Sequence, residues 1–207
     1  QGAGYIALEF ACLLRRLGSD VTVVLRGDKV LRGFDEEVRG HLQAQLEGLG
    51  IRFISGASVA AIAAHRSGLT VTLDVGQLVD VNAVLRALGR TPNTAGMGLE
   101  AAGVVLDRAG AVVVDVDGKS SVPHIHAVGD VTNRVNLTPV AIAEGRAFAD
   151  TEFGSRPVRV DHRTVASAVF TDPPTGAPKE CWGVTTPKTS EATRDGKPVK
   201  ATRSEIQ

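Results

Sequence analysis

The sequence predicts an α/β fold of three layers, a parallel sheet carrying helices with a β-meander attached. Three stretches carry that reading. Gly2-Ala3-Gly4-Tyr5-Ile6-Ala7 spells G-x-G-x-x-A and runs straight into the helical pattern of residues 5–17. A short β-branched run, Val21-Thr22-Val23-Val24-Leu25, follows once Gly18 has stopped that helix. Residues 58–80 then alternate and turn at Ser67-Gly68, as a meander does.

At 207 residues the chain holds one or two domains, and its 43% hydrophobic content suffices for a core. Charge balances at 23 basic against 23 acidic side chains, which gives no pull toward nucleic acid or an anionic membrane. No apolar run reaches the ~18 residues of a membrane span, and no secretory signal pattern is present. Cys12 and Cys181 form neither a C-x-x-C nor a zinc spacing. The expected setting is therefore a reducing, cytoplasmic compartment, and no metal site is expected. Met97 is the one methionine, so the expectation is an internal fragment. Only Gln1 precedes a glycine turn that should follow a buried strand.

A glycine turn that opens a helix aims unpaired N–H groups and the positive dipole end at one spot, which suits a pyrophosphate. Gly2 allows the tight turn, Gly4 the close approach of backbone to phosphate, and the small Ala7 close helix–strand packing. The helix is expected to pack Ile6, Phe10, Leu13, Leu14 and Leu17, with Arg15 and Arg16 outside. At the end of the following strand an NAD site places an acidic residue, roughly 20 residues after the glycines, to hold the ribose 2′-OH. Here Arg26 stands there, and Arg32 follows on the loop. Two guanidiniums bind a 2′-phosphate in fork-like fashion, each charged hydrogen bond contributing roughly 1.5–3 kcal/mol. That favours NADPH; the alternative is a pair of solvated loop charges.

Asp35 reads as an N-cap with Glu36 and Glu37 in the first turn, opening a helix that ends at Gly50. Residues 51–54 read as a strand, and residues 81–88 as another that ends in Gly89-Arg90 and leaves Arg86 to reach an edge or a partner. His41 and His65 fit surface positions. Further on come a turn of helix at 99–104, a strand at 111–115, and an apolar strand over 122–128 that ends in Gly129-Asp130. A carboxylate there would stand at the C-terminal edge of a sheet, where α/β folds bind ligands, although Gly-Asp is also a common turn. Leu137-Thr138-Pro139 then opens a helix, with Thr138 as cap and proline at N1. Its N-terminus can face a developing anion. His124 and His126 flank the strand as packing residues.

Together GAGYIALEFA, LRGDKVLRGFD, ALGRTPNT and VGD…NLTPVAIAEGR resemble the flavoprotein disulfide reductases of the class I pyridine nucleotide-disulfide oxidoreductase family, and within it the glutathione reductases. The resemblance spans residues 1–176 and implies a Rossmann-like FAD/NAD(P)-binding fold, incomplete, with the start of an α+β dimerisation domain. It implies NADPH contacts at the backbone around Ala3 and Ile6 and at Gly89, with Arg26 and Arg32 on the 2′-phosphate. Tyr5 would lie over the flavin face and Glu9 near the nicotinamide. For FAD it implies Asp130 on the ribityl chain and Thr138 N–H on the flavin pyrimidine edge, with Asn136 or Leu137 at the nicotinamide and substrate side.

The implied reaction passes hydride from NADPH to FAD, then electrons to a redox disulfide and to oxidised glutathione, in a homodimer. Mercuric, trypanothione and dihydrolipoamide-type reductases share most of these motifs, although the last carry an acidic residue near Arg26. A non-catalytic nucleotide-binding fragment is the remaining alternative. Neither Cys12 nor Cys181 belongs to the family's redox pair, and no residue of this chain is expected to be catalytic. The expected division is 1–90 for the NADPH domain without its first strand, 91–157 for a return segment of the FAD domain, and 158–176 for the start of the interface domain. In that last stretch Ala166 replaces a usual proline. Residues 177–207 carry no period and read as a disordered tail, with a shifted reading frame near Gly176 as one source.

Overall fold

The computed structural model describes residues 1–163 and 165–178, with the backbone of Thr193–Arg194 and Lys197–Pro198. The chain divides into two compact units. One holds Gln1–Gly89 together with the described residues from Ala166 onward, and the other is Arg90–Val165.

In the first unit, α1 (Tyr5–Arg16), β1 (Thr22–Leu25), α2 (Glu36–Gly48) and β2 (Arg52–Ser55) alternate, and β1 and β2 pair in parallel from Thr22 opposite Arg52 to Leu25 opposite Ser55. α1 ends as the sequence predicts. Gly18 takes φ +92, and the N–H groups of Gly18 and Ser19 return to the carbonyls of Arg15 and Leu14. α2 starts on Asp35, whose Oδ1 accepts from the N–H of Glu37 at 2.9 Å and of Val38 at 3.2 Å.

β1 is buried on both faces. Val23 and Leu25 join Leu8, Ala11 and Cys12 of α1 and Leu42 and Leu46 of α2 in one cluster. Val24 points the other way, onto Ala57, Val71 and Leu73. That second face is covered by the meander of β3 (Val59–His65), β4 (Gly68–Leu73) and β5 (Leu78–Val81), paired antiparallel in that order. The result is the expected three-layer, Rossmann-like α/β arrangement. A hairpin of β6 (Ala166–Val169) and β7 (Thr175–Pro178) completes the unit, with Val169 in the α1 cluster.

Two expectations in this unit are corrected. α1 buries Ala7, Leu8, Ala11 and Cys12, while Phe10, Leu13, Leu14 and Leu17 are exposed and Arg15 reaches in to donate from Nε to the Leu49 carbonyl. The helix carries two apolar stripes, and the one with two alanines lets its backbone approach β1 more closely. The strand expected over 81–88 is not formed; β5 ends at Val81. Beyond it Gln1 lies alongside, donating from its N-terminus to Leu85 O at 2.6 Å and accepting from Ala87 N–H at 2.8 Å. Gly2 N–H in turn donates to Val24 O at 3.0 Å, so Gln1-Gly2 fills a ladder position between β1 and the 85–87 backbone. Arg86 is exposed there, as a charge in that run must be.

The second unit is less regular than its sequence suggests. The stretch 99–104 is a set of hydrogen-bonded turns rather than helix, and 111–115 and 122–128 are not strands. Val112 bridges Leu106 and His126 bridges Lys119, each as a single pair. Those apolar runs lack a neighbouring strand among the described residues, and a strand without a ladder partner is not assigned. Gly129–Thr132 forms one 3-10 turn, and α3 (Thr138–Glu152) follows with Leu137 rather than Thr138 at its N-cap. Leu137 has the extended backbone a cap needs (φ −131, ψ 132), and Pro139 supplies the preset φ one position inside.

Of the tail read as disordered, Ala177 and Pro178 belong to β7, and β8 (Thr193–Arg194) pairs antiparallel with β9 (Lys197–Pro198). The rest of it, Cys181 included, lies outside the described residues. No described helix is long and apolar enough to cross a membrane.

Candidate functional site

The glycine turn is held from two sides. Gly2 N–H binds the β1 carbonyl of Val24, and Ala3 O accepts from Leu31 N–H at 2.8 Å. Gly2 sits at φ +132, and a Cβ there would lie 2.3 Å from Ala87 O, so glycine is required. Gly4 differs. It is the extended N-cap of α1 (φ −83, ψ 176), no side chain caps the helix, and a Cβ there would meet nothing within 4 Å. Leu8 N–H is the first to find a carbonyl within the helix, at Gly4, which leaves the amides of Tyr5, Ile6 and Ala7 for a ligand. An uncapped helix start beneath open space fits an anion. Tyr5 is exposed beside it, Ile6 half-buried, Ala7 buried.

Arg26 leaves β1 directly after buried Leu25, and Arg32 follows Leu31, the residue bonded to Ala3. Both guanidiniums are exposed, and neither makes a hydrogen bond or ion pair among the described residues. Leu31 holds φ +50, uncommon for a branched side chain, and fixes the loop between the two arginines and the turn. The fold therefore brings the turn and both arginine-bearing backbone segments to one end of β1. Gly89, at φ +130, is exposed. Glu9 faces away from the buried stripe and accepts from Phe170 N–H at 2.9 Å.

In the second unit Gly129 is buried at φ +71, and a Cβ would lie 2.9 Å from the Ala141 Cβ of α3. Asp130 is exposed and pairs with Arg90 at 3.2 Å. It stands on the 3-10 turn rather than at a sheet edge. Asn136 donates to Asn133 Oδ1, while its own Oδ1 is buried without a partner. Leu137 leaves the start of α3 without a side-chain cap, with Thr138 exposed. An orphaned acceptor beside an uncapped helix N-terminus is an arrangement that a polar ring edge can complete. Sequence reasoning missed the partners of this turn: Glu144, buried in α3, accepts from Gly129 N–H, Arg134 and His162. A glutamate directly after the apolar run Val140-Ala141-Ile142-Ala143 is the one sequence signal for it.

Cys12 is buried, and burial pushes its thiol up from the ordinary value, with Glu9 adding to the rise and Arg16 opposing it. Among the described residues no three His, Cys, Asp or Glu side chains gather as metal ligands.

Comparison with known proteins gives this geometry its context. The chain is 51% identical over 172 residues to the glutathione reductase of Burkholderia cepacia, covering 83% of this chain and 38% of that protein. To the trypanothione reductase of Trypanosoma congolense it is 42% identical over 179 residues, covering 84% and 36%. Among solved structures, the HOCl-induced flavoprotein disulfide reductase of Escherichia coli superposes with a TM-score of 0.79 at 31% identity, over 84% of this chain and 40% of that one. The chain thus spans about two fifths of the length of the relatives it matches. The pyridine nucleotide-disulphide oxidoreductase family matches residues 1–145, the stretch that contains the glycine turn, both arginines and the Gly129–Asp130 turn, and the chain belongs to that family.

Proposed function

We propose that this chain is the nucleotide-binding share of an NADPH-dependent FAD flavoprotein disulfide reductase whose substrate is oxidised glutathione. The observation that carries the reading is the uncapped start of α1 with two free arginines on the segments that flank it. The pyrophosphate of NADPH lies on the amides of Tyr5, Ile6 and Ala7 under Gly4, and Arg26 and Arg32 bind its 2′-phosphate. Gly89 and Glu9 stand on its nicotinamide side, with Tyr5 as a lid. FAD is held by Asp130 through its ribityl hydroxyls and by Asn136, Leu137 and Thr138 at its ring edge. When bound, FAD supplies the two-electron relay between a hydride and a disulfide. The residues of this chain bind and orient, and none of them is assigned a catalytic role.

Glutathione is preferred as substrate because relatives of that name match at 51% and 46% identity, and a trypanothione-type substrate is the second reading, on matches at 42% and 44%. The intact protein acts as a homodimer in the cytoplasm, with residues 1–90 for NADPH, 91–157 for FAD and 158–176 entering the interface. Nucleic acid and membrane are not partners in this reading.

Fluorescence titration of the chain with NADPH and NADH tests it. Arg26→Glu is expected to weaken NADPH by about tenfold or more, the worth of one charged hydrogen bond, and not to weaken NADH, whose ribose 2′-OH a carboxylate at this position can hold. Equal affinity of the unaltered chain for both dinucleotides overturns the 2′-phosphate assignment.

A further inference from the structure

One buried carboxylate in the second unit serves neither cofactor contact. The Glu144 side chain is 4% exposed, in the middle of α3. Its Oε2 accepts from Gly129 N–H at 2.5 Å, and its Oε1 accepts from Arg134 Nη2 at 2.9 Å and His162 Nε2 at 2.6 Å. Arg134 closes a second path to the same glycine: its Nε donates to Thr132 Oγ1 at 3.3 Å, and Thr132 donates to Gly129 O at 2.8 Å. Gly129 is thus gripped at both its N–H and its C=O, with Ala141 against its Cα face. Asp130 is the next residue. A buried charge persists only with compensating partners, and here three donors from three segments converge on it. Asp117, Lys119, Glu152 and Arg159 line the small cavity beside it, about 90 Å³, and Arg159 pairs with Asp117.

We propose that Glu144 is a positioning residue: through Gly129 N–H it fixes the turn that aims Asp130 outward, and His162, as the Nε2–H tautomer, holds its other oxygen. The consequence for cofactor binding rests on the proposed role of Asp130 at FAD; the positioning itself does not.

The test uses the isotope-labelled full chain. Glu144→Leu removes the acceptor, and the Gly129 amide is expected to exchange about tenfold or more faster, the loss of one hydrogen bond to a charged group. Amides of β1, in the other unit, are expected to keep their protection. Glu144→Gln keeps one acceptor for Gly129 and turns an NH₂ toward His162, which must then accept, while the Arg134 Nη2 bond, made to the same oxygen, is lost. Gly129 protection is expected to return, and the imidazole nitrogen shifts to report a proton moved to Nδ1.

Unchanged Gly129 exchange in Glu144→Leu overturns the proposal, as does an unchanged His162 tautomer in Glu144→Gln; the second arm decides if the leucine variant does not fold. FAD titration separates the two readings. Binding weakened about tenfold by Glu144→Leu and by Asp130→Ala supports both. No FAD binding, or binding indifferent to Asp130→Ala, overturns the ribityl assignment alone, while the Gly129 readout decides the positioning.

Discussion

Phe170 donates its backbone N–H to the Glu9 carboxylate at 2.9 Å across 161 positions of sequence. Val169, one residue earlier, is buried in the α1 cluster, so the β6–β7 hairpin is tied to α1 by one apolar anchor and one polar one. Glu9→Ala is expected to lower stability by about 1 kcal/mol, below the range of roughly 1.5–3 kcal/mol for a charged acceptor because solvent reaches the pair. A urea titration measures it. A midpoint equal to that of the unaltered chain means the bond contributes nothing.

The two glycines of the turn separate folding from binding. Gly2→Ala puts a Cβ 2.3 Å from a backbone oxygen at a positive φ, and an expected loss of about 3 kcal/mol follows from strain and clash together. Gly4→Ala meets open space at an ordinary φ, so stability should fall by about 1 kcal/mol or less, the worth of a poorer N-cap. NADPH affinity should still drop by about tenfold, because the added methyl stands where the phosphates approach. Equal thermal shifts for the two variants would contradict this division.

What the sequence makes legible follows from how local each cause is. The Asp35 cap and the Gly18 stop depend on a few neighbouring residues and stand as read, while the turn read at Ser67-Gly68 falls one residue earlier, at Arg66-Ser67, with Gly68 opening β4 opposite His65. Burial of β1 on both faces was visible in its β-branched run. The strands expected over 81–88, 111–115 and 122–128 fail for a non-local reason: apolar alternation proposes a strand, but a partner backbone must form the ladder. The α1 face went wrong because Phe10, Leu13, Leu14 and Leu17 outweigh Ala7, Leu8, Ala11 and Cys12 in hydrophobicity, while closeness to β1 selects the smaller stripe. At the candidate site the glycines and arginines could be read from type and spacing. The Leu31–Ala3 bond and the Glu144 network could not, since each joins residues that no periodicity connects.

Cys12 is the described cysteine, and it should be unreactive in the folded chain. Its thiol is raised by burial, so the thiolate that attacks alkylating reagents is scarce and shielded. Mass-resolved alkylation at about pH 8 should modify Cys12 only as the unit opens, with a rate that rises in mild urea. Rapid modification in plain buffer would place Cys12 in a more open site than the α1 cluster allows.

Acid sensitivity should come from Asp117 more than from Asp161. Both carboxyls are held below the ordinary aspartate value, Asp117 by the Arg159 guanidinium and Asp161 to about 2 by Arg163. A carboxyl depressed in the folded state contributes stability above its unfolded value, about 3.9, and loses it as pH falls through the folded one. The window is therefore below about pH 4 in both cases. The pairs differ in span. Asp161 and Arg163 are two residues apart and can meet in the unfolded chain, which cancels most of the linkage. Arg159 reaches Asp117 from 42 positions away, with Nε and Nη2 on separate carboxylate oxygens at 2.7 and 2.8 Å, a geometry that only folding creates. Urea midpoints between about pH 6 and 3 should fall less steeply in Asp117→Asn than in the unaltered chain, and about as steeply in Asp161→Asn. The reverse order would mean that the unfolded chain keeps the long-range pair and loses the short one.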